Sequence, residues 1–181
     1  MELTTMHELD AFWWQKTKPM YMSAFGNGGK TEQVIRRMFE RRLALFHVFH
    51  EHNEAYGMAF SSISSDRKAL IVDYLTVNDE QRGHGHGREF VRALLNWGSE
   101  QRLQAVIIEV ESDPSPVNLA RIRFWEKCGF SITDYVHHYI WVPEPYRAMY
   151  AKLDPHAELP FTDGQKLFRY ITNFHRKAYA R

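Results

Sequence analysis

The chain has 181 residues, 44% apolar and 25% charged, a profile that fits one globular domain with a full core. Lys and Arg (23) almost balance Asp and Glu (22), which excludes the broad basic field that recruits nucleic acid or an anionic membrane. One cysteine, Cys128, excludes an internal disulfide, no apolar stretch reaches membrane-spanning length, and the first residues carry no basic-then-apolar leader, so the expectation is a soluble cytoplasmic domain.

In chain order, Thr5-Met6-His7-Glu8 has the form of a capping box, with Leu9, Phe12 and Trp13 as the helical face behind it. Pro19 and Gly26-Asn27-Gly28-Gly29 interrupt this region and leave residues 20–25 ambiguous. A second helix sets Val34, Ile35, Met38 and Phe39 against Arg36, Arg37 and Glu40. From Leu43 the period falls to two: Leu43, Leu45, His47 and Phe49 alternate with Ala44, Phe46, Val48 and His50. The polar turn Glu51-His52-Asn53 then leads into residues 56–60, an antiparallel hairpin, and Ser64-Ser65-Asp66 turns the chain into a third strand over 69–77.

That strand runs into Gln81-Arg82-Gly83-His84-Gly85-His86-Gly87, and a helical pattern follows, with Phe90, Val91, Leu94, Leu95 and Gly98 inside and Arg88, Arg92 and Glu100 outside. Strand, glycine loop and helix make an arrangement that binds phosphate, because glycines let backbone N–H groups face an anion that the helix N-terminus also attracts. Residues 105–110 form a buried strand, and Ser115-Pro116 opens a helix, with Ser at the N-cap and Pro at the first turn, that runs past Ile122 and Trp125 to Gly129. Residues 130–141 and 146–153 are expected as strands around Pro143-Glu144-Pro145. Thr162-Asp163-Gly164-Gln165 is a second capping box, opening a terminal helix with Leu167, Phe168, Ile171, Phe174 and Ala178 inward. The element order is mixed α/β. A glycine loop after the third strand of a meander excludes the doubly wound dinucleotide fold, and the lack of Gly-Lys-Ser/Thr excludes a Walker loop.

Two motifs in this order resemble the GNAT superfamily of acyl-CoA-dependent N-acyltransferases. The first is the Arg/Gln-x-x-Gly-x-Gly/Ala loop, here Arg82-Gly83-His84-Gly85-His86-Gly87 after Leu75-Thr76-Val77. The second is the Asn-x-x-Ala-x-x-Leu-Tyr-Glu-Lys-x-Gly-Phe helix, here Asn118-Leu119-Ala120-Arg121-Ile122-Arg123-Phe124-Trp125-Glu126-Lys127-Cys128-Gly129-Phe130. The resemblance covers residues 43–153 and implies a GNAT-type fold: a mixed, mostly antiparallel central sheet with flanking helices, plus an extra C-terminal helix. The expected organisation is one domain over 1–181, with N-terminal helices in 1–42, the core sheet and donor site in 43–153, and the last helix in 162–181. The resemblance further implies that backbone N–H groups of Gln81, Arg82, Gly83, His84, Gly85, His86 and Gly87 hold the CoA pyrophosphate. It implies that the backbone of Leu75, Thr76 and Val77 pairs with the pantetheine arm and polarises the thioester carbonyl, and that Asn118, Phe124 and Trp125 line the arm's other side. Where the family often has a tyrosine acid for the departing thiolate, this chain has Trp125, whose indole N–H is too weak an acid to replace it.

An attacking amine must be neutral, so a base is needed. Asp73 shares a strand face with Leu75 and Val77; burial would raise its pKa toward a base's range, and the alternative is a hydrogen-bonded structural carboxylate. Glu109 and Glu111 share a face of the next strand and suit either a base or the binding of a cationic acceptor. Tyr139 is the candidate substitute acid. His47, His50 and His52 do not form a metal site, since His47 and His50 point to opposite faces of one strand and nothing completes a tetrahedral set. Cys128 reads as a packing residue. The expectation is an N-acetyltransferase that uses acetyl-CoA and no metal, acts on a small-molecule or peptide amine by direct transfer, binds neither nucleic acid nor membrane, and is a monomer or homodimer. The second reading is a CoA-binding sensor or interaction module without turnover.

Overall fold

Residues 1–26, 28–81 and 83–180 are described by a computed structural model, Gln81 by its backbone alone. The elements are β1 Glu2–Met6, α1 Ala11–Phe25, α2 Glu32–Glu40, β2 Leu45–Glu51, β3 Glu54–Ile63, β4 Ala69–Val77, a 3₁₀ turn Asp79–Gln81 and α3 His86–Glu100. They continue as β5 Ala105–Glu111, α4 Pro116–Lys127, β6 Ser131–Ile132, β7 His137–His138, β8 Pro145–Lys152 and α5 Gly164–Tyr179. The strand order is β1-β2-β3-β4-β5-β8-β6, with β7 also on β8. The β4–β5 pair is parallel and bridged in sequence by α3; the other described registers are antiparallel. This is the expected mixed, mostly antiparallel sheet with flanking helices and an extra helix, α5. Among the described residues no helix is long and apolar enough to cross a membrane.

The chain divides into two compact units, each assembled from separate stretches. The first takes Met1–Ile63, Val72–Asn96 and the chain from Lys177 on; the second takes Ser64–Ile71 and Trp97–Arg176.

In the first unit the β2–β3 hairpin is buried on both faces, which is why β2 does not show the half-exposed alternation of a surface hairpin. One face carries Phe46, Val48, Met58 and Phe60, and its rings meet Trp14 and Tyr21 of α1 and Phe39 of α2 at centroid distances of 5.7 to 6.5 Å. The other face packs Phe49 and Ala59 against Phe90 of α3, the two phenyl rings stacked at 5.3 Å. Aromatic pairs at these separations add to the stabilisation from burial alone.

Three local expectations are corrected here. Residues 2–6 form strand β1, paired with β2 from Glu2↔His50 to Met6↔Phe46. The cap of α1 is therefore not Thr5 but Asp10, which accepts from the Trp13 N–H at 2.9 Å. The helix also continues through Pro19 to Phe25. An interior proline costs about 3 kcal/mol, but Trp14, Thr17 and Tyr21 are buried on both sides of it, and that packing holds the helix together.

In the second unit β4 pairs with β5 from Ala69↔Ala105 to Ile71↔Ile107, and β5 pairs with β8 along its whole length. The expected strand over 130–141 is present only as β6 and β7, each two residues long. Ser115 caps α4 as expected, accepting from the Asn118 N–H, and Gly129 ends it at φ +91°. The cap of α5 lies one residue beyond the expected one: Asp163, not Thr162, accepts from the Lys166 N–H at 3.0 Å. Leu167, Phe168, Ile171, Phe174 and Ala178 are all buried, as the periodicity predicts.

Candidate functional site

The glycine loop belongs to the first unit. Asn78 starts it, donating its N–H to Tyr56 O and accepting from the Glu80 N–H, and Ser23 donates to Asp79. Gly83 and Gly85 hold φ +84° and +89°, a region that side chains strain to occupy, and the space where a Cβ would stand is open at both. α3 begins at His86, and Gly85 O accepts from the Arg88 and Glu89 N–H groups of its first turn. His84 is exposed; the His86 ring lies against Tyr56, and its Nδ1 is buried without a hydrogen-bond partner. Open glycines and a helix N-terminus fit a phosphate-bearing ligand, whereas the His86 Nδ1 has the Glu89 carboxylate 3.9 Å away. Arg82 lies outside the described residues. Leu75 and Val77 turn their side chains into the Phe49–Phe90 cluster, and Thr76 is buried with its hydroxyl donating to Val77 O.

Asp73 is in a different situation from the one its sequence neighbours imply. Both carboxylate oxygens accept from Lys30 Nζ at 2.8 Å, and the two side chains are 3% and 2% exposed. The Lys30 ammonium also lies over the rings of Tyr74 and Tyr179 at 5.0 and 5.1 Å. Tyr21 donates to Lys30 O, and Tyr74 accepts from the Lys30 N–H. Burial, with the Asp73 charge adding to it, pushes both phenols well above their usual range, so they stay protonated. Asp73 thus stands in a buried ion pair with Lys30.

The second unit gathers the remaining candidates. Glu109 of β5 is 21% exposed and accepts from the Tyr139 hydroxyl at 2.7 Å, so the two catalytic candidates are in direct contact. His175 of α5, which the sequence reading did not single out, joins them: its Nδ1 is 3.2 Å from the Tyr139 oxygen and its Nε2 is 3.7 Å from Glu109. His137 stacks on Phe168 at 4.3 Å and meets Tyr139 edge-on at 4.6 Å. Burial, then the neighbouring His138 and His175, disfavours its charged form. Glu111 lies 3.6 Å from Arg121. The Tyr146 hydroxyl is pushed up to about 12, by burial first and then by the charges of Glu111 and Glu109. The result is a partly exposed, acidic, aromatic-walled cluster.

In α4 the Asn118 amide is already engaged, donating to Asp113 O at 3.2 Å and accepting from Arg121. Trp125 meets Phe124 and Phe130 edge-on at 5.3 and 5.0 Å. Among the described residues no three His, Cys, Asp or Glu side chains are grouped so as to hold a metal ion. His47 lies between the hydroxyls of Thr5 and Ser61.

Residues 6–130, more than half of the chain, match the sequence profile of the acetyltransferase (GNAT) family. The protein belongs to that family. It is 39% identical over 59 residues to aminoglycoside N(6')-acetyltransferase type 1 of Klebsiella pneumoniae, a match taking in 33% of this chain and only 28% of that protein. Its fold is that of an aminoglycoside 6'-N-acetyltransferase solved with coenzyme A, at TM-score 0.69 and 12% identity over 86% of this chain and 99% of the other. The aminoglycoside 6'-N-acetyltransferase of Enterococcus faecium is similar at TM-score 0.66 and 12% identity, with the same coverage.

Proposed function

We propose that the protein moves an acetyl group from acetyl-CoA to a primary amine of a cationic small molecule by direct transfer. The observation that carries this reading is the contact between Glu109 and Tyr139: a partly exposed carboxylate, with Glu111 on the same strand face, set in an aromatic wall. Two carboxylates attract an ammonium ion, and a carboxylate able to shed its hydrogen bond can take the ammonium's proton. Glu109 is the base in this reading, rather than Asp73, whose ion pair with Lys30 keeps it out of reach of an amine.

In the proposed reaction Glu109 takes a proton from the acceptor, directly or through a water, and the freed lone pair forms the C–N bond to the acetyl carbon. The C–S bond breaks, the thiolate leaves, and the second proton on the new amide nitrogen passes to solvent. Backbone N–H groups near residues 75–77 stabilise the oxyanion, and the loop over 81–87 holds the pyrophosphate. Tyr139 is the candidate donor to the thiolate in place of the acid that Trp125 cannot supply. The relatives named above act on aminoglycosides, polycations that would suit Glu109 and Glu111, so these belong in the acceptor panel.

The test is thiol release from acetyl-CoA across a panel of aminoglycosides, polyamines and peptide amines, with calorimetry for the donor. Acceptor-dependent release that Glu109→Gln lowers about 100-fold or more supports the reading, in line with the usual worth of a positioned base. Tight CoA binding with no release for any amine favours the second reading, a CoA-binding module, for which Trp125 at the tyrosine position is the supporting feature.

A further inference from the structure

We infer that Tyr146 is a specificity-determining residue whose hydroxyl donates to an oxygen beside the acceptor's reacting amine, which makes the acceptor an amino alcohol or amino sugar rather than a polyamine. The inference rests on the transferase reading, with the amine at Glu109. Tyr146 of β8 stands opposite Glu111 of β5 and opposite His137 of β7 in the two antiparallel registers, so the three side chains form one row across a single face of the sheet. Two positions along, Glu109 stands opposite Ala148, which places Glu109 diagonally from Tyr146 on that same face. The Tyr139 ring, whose hydroxyl donates to Glu109 at 2.7 Å, meets the Tyr146 ring edge-on at 5.5 Å. Tyr146 therefore borders the carboxylate that receives the amine.

The Tyr146 ring is half-buried, and its hydroxyl makes no hydrogen bond to another of the described residues; Glu111 and Glu109 act on it through their charge. Burial first, then those charges, push the hydroxyl up to about 12, so it stays an O–H donor wherever the enzyme works. A bound ammonium cannot answer that donor. It carries N–H groups and no lone pair, and its N–H groups go to the carboxylates. A charged polyamine brings only more N–H groups. An ether or hydroxyl oxygen next to the amine brings the lone pair, and a site that covers a polar group penalises the substrate that leaves it unmet. Tyr146 also lies beyond residues 6–130, the stretch that the family profile matches.

Two acceptors that differ at one ring position test this. Tetrahydropyranylmethylamine has the ring oxygen beside the carbon that bears the aminomethyl group, and cyclohexylmethylamine has a methylene there. Thiol release from acetyl-CoA gives kcat/KM for both, in the unaltered protein and in Tyr146→Phe, which keeps the ring against Tyr139 and removes only the hydroxyl. The difference in basicity between the two amines cancels when the two proteins are compared. The preference of the unaltered protein for the ether is expected to fall about 10-fold in Tyr146→Phe, the worth of one neutral hydrogen bond. A change in that ratio of less than about threefold overturns the inference, including the case where both acceptors weaken equally, because the hydroxyl then acts on the carboxylates and not on the acceptor's oxygen. If the unaltered protein releases no thiol with any amine, the transferase reading fails instead. Calorimetric Kd values for the same two amines and two proteins then decide the Tyr146 contact by the same ratio.

Discussion

Replacing Lys30 by Met is the sharpest test of how the first unit is held. Methionine refills most of the space of the lysine stem, so the change removes the ammonium and with it the pairing with Asp73 and the contacts with the Tyr74 and Tyr179 rings. A buried carboxylate deprived of its partner costs about 3–5 kcal/mol, because the attraction that offset its desolvation is gone. Against a total stability of about 5–15 kcal/mol, that lowers Tm by about 6–20 °C at roughly 2–4 °C per kcal/mol for a chain of this size. Asp73→Asn strands the ammonium in the same way. The double variant Lys30→Met/Asp73→Leu is expected within about 1–2 kcal/mol of the starting protein, since an apolar pair of similar volume has nothing to desolvate. Urea unfolding of the four proteins, followed by circular dichroism and tryptophan fluorescence, measures each loss. Single variants that each lose less than about 1 kcal/mol would refute the reasoning, because exposed pairs behave that way. The same proteins settle Asp73's role in turnover: kcat of folded Asp73→Asn is expected within about threefold of normal, well short of the 100-fold or greater loss a missing base produces.

Burial holds His47 near a pKa of about 3, with the His7 charge adding to the effect, whereas the unfolded residue titrates near 6.5. The unfolded state therefore binds the extra proton, so the stability His47 contributes is intact above about pH 6.5 and a few kcal/mol are lost as pH falls toward 3. Urea midpoints measured between about pH 4 and 8 are expected to fall on the acid side, and less steeply in His47→Gln. Gly85→Ala places a side chain at φ +89° and is expected to weaken CoA binding about 10- to 100-fold by calorimetry, through strain of about 1–3 kcal/mol. Ser115→Ala removes the cap on the Asn118 N–H and is expected to cost about 1 kcal/mol in urea unfolding.

What the sequence made legible were features whose cause is local. The bounds of β4, the start of α4 at Ser115-Pro116 and the inward face of α5 each follow from residues within one element. Errors arose where a distant partner decides. Residues 2–6 are a strand because β2 offers an edge some forty positions away, and a Thr-x-x-Glu pattern cannot register that. Pro19 is tolerated because of rings contributed by β2 and β3. The site shows the same division: the glycine loop is written contiguously, whereas the Lys30–Asp73 pair spans 43 positions and the Tyr139–His175 contact spans 36. An acid on an apolar strand looks the same in sequence whether it is paired or poised, and only the loop that brings Lys30 to it distinguishes the two.

Gly57 stands opposite Phe49 on the hairpin, and a Cβ added there would meet Phe90 and the Thr76 carbonyl oxygen, each at 2.9 Å. Phe90 lies one turn into the helix that the glycine loop opens, so the hairpin packs against that helix just past the loop. If the loop holds the donor as proposed, its affinity is open to tuning from a place no donor atom need touch: a selection for altered affinity can leave every loop glycine untouched and return changes at residues 49, 57 and 90. Any such gain would draw on the same core that keeps the first unit folded, which ties the tightness of the donor site to the thermal margin of the protein.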